Sequence, residues 1–304
     1  MNVFVIGGTG FLGLKCCSLL SQNDFIVRAY SPSAGRTILP ERVIGISGFI
    51  ADKGEMKKHI EWADIIIHLV STTNPKTSFS DPYHDISSNL LPMVQLLELM
   101  KDHENKKIIF SSSGGAVYGK TLQYPINEEH PKKPITSYGL VKSAIEDYIL
   151  YYHYNFGIPY LIVRPANVYG PKLRSIGEQG IISTLIQNGL HKKPTQIWAN
   201  PKNVRDYIYV DDSAQGILQL IQAGAEGTFN LGSGKGYTLH EIIDAVQKQF
   251  EDNLQTEITE LIINDAPKNV LDISKISELT NWTPLTSLEE GIERTISFLK
   301  KNNA

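Results

Sequence analysis

The segment Val5-Ile6-Gly7-Gly8-Thr9-Gly10-Phe11-Leu12-Gly13 decides the fold. It continues the apolar run Val3–Ile6 and leads into an amphipathic stretch at 11–21, so its glycines stand at a strand-to-helix turn. Without Cβ atoms, Gly7 and Gly10 permit a tight turn and close backbone approach to a pyrophosphate, and Gly13 lets the helix pack on the sheet. The helix N-terminus, opened by Phe11 and Leu12, adds amide donors and partial positive charge. A glycine-rich turn without a ligand is the plain alternative. The order strand, loop, helix favours a dinucleotide cradle.

Outward from this loop, Ile26–Tyr30, Ile65–Leu69, Lys107–Ser111 and Tyr160–Arg164 read as further strands buried on both faces. Helical patterns at 54–62, 83–102 and 137–155 alternate with them, which implies an α/β fold of the Rossmann type with a doubly wound parallel sheet. Beyond Pro165 the regularity weakens, with Gly and Pro at 170–180, a helix-like run at 180–190 and a strand-like run Val204–Val210. The expected division is a dinucleotide-binding domain over 1–165 and a smaller C-terminal α/β lobe over 166–304. Parts of 204–223 are expected to pack back on the first domain. A cleft between the two is the expected site.

Composition narrows the functional classes. With 29 basic and 32 acidic side chains and a formal charge of −3, the chain carries no cationic excess for a nucleic-acid backbone. No apolar run is long enough to span a bilayer, and residues 1–6 read as strand rather than signal peptide. The only cysteines, Cys16 and Cys17, are adjacent and cannot form an unstrained bridge, which suits a reducing cytoplasm. The eight histidines show no metal-ligand spacing, so no metal is expected.

An acidic residue is expected at the end of the second strand to bind the adenosine ribose, but that strand ends Arg28-Ala29-Tyr30-Ser31. Tyr30 stands in the expected place. Ser31 and Arg36 could accept a 2′-phosphate, and NAD and NADP both remain open. Tyr138 and Lys142 are four residues apart on one face of a helix beginning near Ser137. A nearby ammonium is expected to lower a phenol's pKa from about 10 by stabilising phenolate. The pair follows a strand ending Ser111-Ser112-Ser113, at the sheet edge where open α/β folds bind ligands. His68, ending a buried strand, is expected to satisfy a local hydrogen bond rather than to move protons. Asn167 could be a turn residue or a ligand, and Arg205-Asp206 a local ion pair or a phosphate contact.

Taken together, the glycine loop, Ile66-Ile67-His68-Leu69, Asn89, Ser111-Ser112-Ser113-Gly114-Gly115-Ala116-Val117-Tyr118-Gly119, Tyr138/Lys142, Arg164-Pro165-Ala166-Asn167-Val168-Tyr169-Gly170-Pro171 and Val204-Arg205-Asp206-Tyr207 resemble the extended short-chain dehydrogenases/reductases. The likeness is to the UDP-glucose 4-epimerase and nucleotide-sugar epimerase/dehydratase group. It implies that Tyr138 is the general base, Lys142 holds the nicotinamide ribose and Ser113 hydrogen-bonds the reacting oxygen, with Ser112 the competing assignment. It also implies cofactor contacts from Leu69, Asn89, Arg164 and Pro165, substrate contacts from Asn167 and Arg205, and a homodimer through the helices at 83–102 and 137–155. The implied reaction is NAD(P)-dependent 4-epimerisation of a UDP-hexose, with a 4-keto-sugar reductase or a non-catalytic dinucleotide sensor as alternatives. Three departures bear on recognition. Tyr30 replaces an acid, Gly48 stands where relatives place an aspartate near the adenine, and no arginine precedes Asn269-Val270-Leu271-Asp272-Ile273. Lys268 supplies charge there without a guanidinium's bidentate geometry.

Overall fold

The computed structural model describes residues 1–103, 105–171, 180–260 and 266–302. Its first half runs β1 (Asn2–Ile6), α1 (Phe11–Gln22), β2 (Ile26–Ser31), β3 (Val43–Ser47), α2 (Lys53–Trp62), β4 (Ile65–His68), α3 (Pro75–Ser80), α4 (Pro82–Asp85), α5 (Leu91–Met100) and β5 (Lys107–Ser111). It continues with α6 (Ser137–Phe156), β6 (Tyr160–Pro165), β7 (Asn167–Tyr169), α7 (Ile181–Leu190), β8 (Thr195–Trp198), β9 (Val204–Tyr209) and α8 (Val210–Gln222). The remainder is β10 (Gly227–Leu231), β11 (Gly236–Thr238), α9 (Leu239–Gln247), β12 (Thr256–Thr259), β13 (Lys268–Asn269), α10 (Ser274–Thr280) and α11 (Leu288–Asn302).

A seven-stranded parallel sheet in the order β10-β6-β5-β4-β1-β2-β3 forms the centre, as the alternating pattern predicts. Side-chain alternation sends Val3, Val5, Val27, Ile65 and Ile67 to one core and Phe4, Ile6, Ile66 and Phe110 to the other. Each such aliphatic side chain contributes about 1.5–3 kcal/mol on burial, so both sheet faces are committed to helices. The order reverses between β1 and β4, and the carboxyl ends of those strands open the crevice where such sheets bind ligands.

Two strands of this sheet differ from the expectation. β3 was not expected from the sequence, because Gly45 and a half-exposed Ile44 break its apolar alternation at the sheet edge. β10, which a boundary at 165 assigns to the second lobe, is instead the seventh strand beside β6. α8 packs against α1. The smaller lobe is built on a sheet of β11-β9-β13 with β7 on β9, and on the β12–β8 pair. No helix among the described residues is long and apolar enough to cross a membrane.

The helix expected over 83–102 is interrupted. α4 passes through a π turn at Ile86–Leu90 before α5 begins. Pro92 has no N–H to give the Ser88 carbonyl, and the Leu91 N–H bonds back to Ile86 instead, widening the turn by one residue.

Candidate active site

The glycine cradle forms as the sequence requires. Gly7 adopts φ +85°, a conformation that disfavours L side chains, and its carbonyl lies 2.1 Å from where a Cβ on Gly13 would sit. A Cβ on Gly10 would meet only the Gly7 carbonyl, at 3.0 Å. The open space there and the following α1 N-terminus fit a dinucleotide pyrophosphate. At the end of β2, the hydroxyls of Thr9, Ser31 and Ser33 form a cluster, with Thr9 Oγ1 2.5 Å from Ser31 Oγ and 2.8 Å from Ser33 Oγ. Arg36 lies exposed in the turn beyond.

Tyr30 must be removed from the cofactor contacts. Strand alternation turns it into the core with Phe4 and Ile6, where it is 1% exposed and its hydroxyl donates to the Phe49 carbonyl at 2.9 Å. Gly48 makes this possible, since a Cβ there would sit 2.3 Å from the Tyr30 oxygen. The two departures are therefore one exchange. A tyrosine fills the space that an aspartate after β3 would occupy.

A cleft of about 370 Å³ opens between the large sheet and the second lobe. Its walls are Leu12 and Leu69, the serines ending β5, Tyr138 and Lys142 on α6, and Pro165–Tyr169 with Gly180–Ser183 and Tyr207. α6 starts where predicted because Thr136 caps it, its hydroxyl accepting from Gly139 N at 3.1 Å, and Gly157 ends it at φ 69°. Lys142 is buried, donates to the Ser111 carbonyl at 2.9 Å and stands 5.7 Å from the Tyr138 ring.

Ser71 and Ser113 line the cleft with Tyr138, and their hydroxyls favour the ionised phenol. Ser112 lines the same cleft, buried and with an unpartnered hydroxyl. Ser71 was not anticipated. Its signal was its place just past β4, at the same carboxyl edge as Ser113.

The expected depression of the phenol is reversed in the protein alone. Burial, reinforced by the charge of Asp85, pushes Tyr138 up to about 12 against the lowering effect of the Ser71 and Ser113 hydroxyls. Lys142 is drawn down to about 8 by burial, opposed by Asp85 and Glu146. His68 is held neutral, its pKa brought down to about 3 by burial and by Lys142, and its buried Nδ1 lacks the local hydrogen bond expected of it.

Two further expectations change. Arg164 does not face the cleft: Nε and Nη2 bond both oxygens of Glu146 at 3.0 and 2.7 Å, and Nη1 bonds the Tyr118 hydroxyl and the Glu128 carbonyl. Burial works against its charge, but Glu146 and Tyr118 outweigh that and raise its pKa. Glu146→Gln leaves this buried guanidinium without its counter-charge, and urea denaturation should show a loss of about 3–5 kcal/mol. A loss below 1 kcal/mol would show that the pair is not a structural anchor. Asn89 spends its amide on Thr72 N, Thr73 and Asp85, so it shapes the loop after β4 rather than touching a ligand.

Pro165 and Leu69 line the cleft, and so does Asn167, whose amide donates to the Asp206 carbonyl at 2.8 Å. Arg205 stands outside that lining, on β9 two residues from Tyr207, with Nη1 on the Val204 carbonyl. The Lys268 ammonium lies 4.9 Å from the Tyr124 ring. Residues 263–265, where the expected arginine is missing, lie outside the described residues.

A glycine cradle at the sheet's crossover, together with a tyrosine–lysine pair and serines lining one cleft, is the equipment of nicotinamide-linked alcohol–ketone chemistry. The NAD-dependent epimerase/dehydratase family model matches residues 3–232. The chain belongs to that family of enzymes. It is 31% identical to a putative UDP-glucose 4-epimerase of Methanocaldococcus jannaschii over 304 residues, covering 99% of each chain. It is 28% identical to a dTDP-4-dehydro-6-deoxyglucose reductase of Escherichia coli, covering 98% of each. Among solved structures, the UDP-glucose 4-epimerase of Thermus thermophilus in complex with NAD superposes with a TM-score of 0.91 at 27% identity, covering 99% of each chain.

Proposed function

We propose that this family member is a cytoplasmic NAD-dependent 4-epimerase of a UDP-hexose. The observation that carries the reading is that Tyr138, Lys142, Ser71 and Ser113 line one cleft together with Leu12 of the glycine segment. When bound, an oxidised nicotinamide would supply a reversible hydride acceptor and a positive charge. Tyr138 then takes the proton of the sugar's C4 hydroxyl, and Ser113 steadies that oxygen as it becomes a carbonyl. Lys142, as an ammonium, stabilises the phenolate. The 4-keto sugar turns in the cleft, and Tyr138 returns the proton when C4 is reduced from its other face.

Elimination of water needs a further acid and base, and Gly114-Gly115-Ala116 follows Ser113 where dehydratases place an acidic pair. NAD and a UDP-sugar are supported by the named relatives. Arg205, on β9 near the cleft, is assigned to the diphosphate. Leu91 on α5 and Leu140, Tyr148 and Tyr151 on α6 are exposed, and they form the face proposed to pair two copies of the chain.

A 4-keto-sugar reductase is the second reading. It is favoured by hydroxyls, rather than a carboxylate, at the end of β2 with Arg36 beyond, a setting open to NADPH. Incubation with a panel of UDP-sugars separates the two. Interconversion of C4 epimers without added reductant supports the epimerase. Product formation only with stoichiometric NAD(P)H overturns it in favour of the reductase.

A further inference from the structure

Behind the reacting pair stands a carboxylate that the proposed reaction does not use. Asp85 ends α4 and is fully buried. Its Oδ1 accepts from Thr73 Oγ1 at 2.6 Å and Asn89 Nδ2 at 3.1 Å, and its Oδ2 accepts from Ser137 Oγ at 3.0 Å. The three donors sit on the loop that carries Ser71, on the π turn, and on the first turn of α6 beside Tyr138. All three are neutral. A buried carboxylate without a bonded cation is costly, and such a site is sustained by several hydrogen bonds and by a facing charge.

We propose that Asp85 is a positioning residue for the Tyr138–Lys142 pair: it ties the Ser71–Thr73 loop to the start of α6 and supplies the buried negative charge that keeps Lys142 an ammonium. This rests on Tyr138 and Lys142 being the reacting pair. The ionisable groups that face Lys142 are Asp85 from α4, Glu146 and Tyr138 from its own helix, and His68 from β4. Glu146 is bound to Arg164 and lies 3.4 Å from Lys132, so its charge is already answered. His68 is neutral. Unlike Glu146, Asp85 has no bonded cation among the described residues, and its charge favours the Lys142 ammonium while opposing Tyr138 phenolate. Removing that charge should therefore make both groups more acidic.

The experiment is the pH dependence of turnover for Asp85→Asn, paired with titration of the Tyr138 phenol in the NAD-loaded protein. The phenol is followed by tyrosinate absorbance as the difference from Tyr138→Phe. Both limbs of the rate profile and the phenol midpoint should move to lower pH by about one unit, the scale of a nearby buried charge. Asp85→Ser, a smaller neutral replacement, is read the same way if the asparagine variant does not fold. Ser137→Ala keeps the charge but cuts one tie, so turnover should fall with the limbs in place. Reduced turnover with unshifted limbs and an unshifted phenol in the neutral variants would overturn the electrostatic role. A shifted phenol in a protein that turns over no UDP-sugar would sustain Asp85's role and sink the proposed reaction instead.

Discussion

Tyr138→Phe should lower turnover by roughly 100- to 10,000-fold, the usual worth of a positioned proton transfer, while stability and NAD affinity stay near the parent's. The phenylalanine ring keeps the packing between α6 and the cleft and loses only the phenol oxygen. In the protein alone that phenol sits near 12, far too high for a base at neutral pH, so its ionisation must come with the loaded site. The acidic limb of the parent's rate profile should report this group and vanish in the variant. The alkaline limb has a different origin. Lys142 acts as an ammonium, burial sets its pKa near 8, and activity should decline above that pH as the charge is lost. Steady-state rates of folded, NAD-loaded protein across this range decide the matter. Near-parental turnover with both limbs retained would assign the base to another group.

Much of this site was legible because its chemistry is tied to element ends. Glycines at a strand-to-helix turn, serines ending β5 and a tyrosine opening α6 must meet at the carboxyl edge of a parallel sheet. Tyr30 and Arg164 misled for a common reason. Each ends or nearly ends a buried strand, and strand alternation decides whether such a side chain faces the crevice or the core. For Tyr30 the answer depended on Gly48, and for Arg164 on Glu146, partners distant in sequence. Asp85 carried no local signal at all, since a carboxylate in Pro82-Tyr83-His84-Asp85 reads as solvated. Its burial follows from α3, α4 and the π turn folding over α6, which composition and periodicity do not encode.

The glycine cradle yields the second large effect, because the glycines of one motif serve different ends. A side chain on Gly13 would drive its Cβ to 2.1 Å from the Gly7 carbonyl, with no flexible neighbour to yield. Gly13→Ala should therefore destabilise the protein itself, by about 1–3 kcal/mol or more, whether or not cofactor is present. Gly10 has an ordinary φ of −72°, and a Cβ there meets only one backbone oxygen at 3.0 Å. Replacing this N-cap glycine costs little in the free protein, a few tenths to about 1 kcal/mol. Yet the added side chain stands at the α1 N-terminus, where a pyrophosphate must come within hydrogen-bonding reach of the backbone amides. Gly10→Val should thus fold and melt close to the parent while NAD affinity falls at least about 100-fold, a loss of about 2.7 kcal/mol or more. Calorimetric titration of both variants, beside their melting curves, separates the two effects. Unchanged NAD binding by folded Gly10→Val would mean that the pyrophosphate does not lie on this loop, and the cofactor's place in the cleft would have to be drawn afresh.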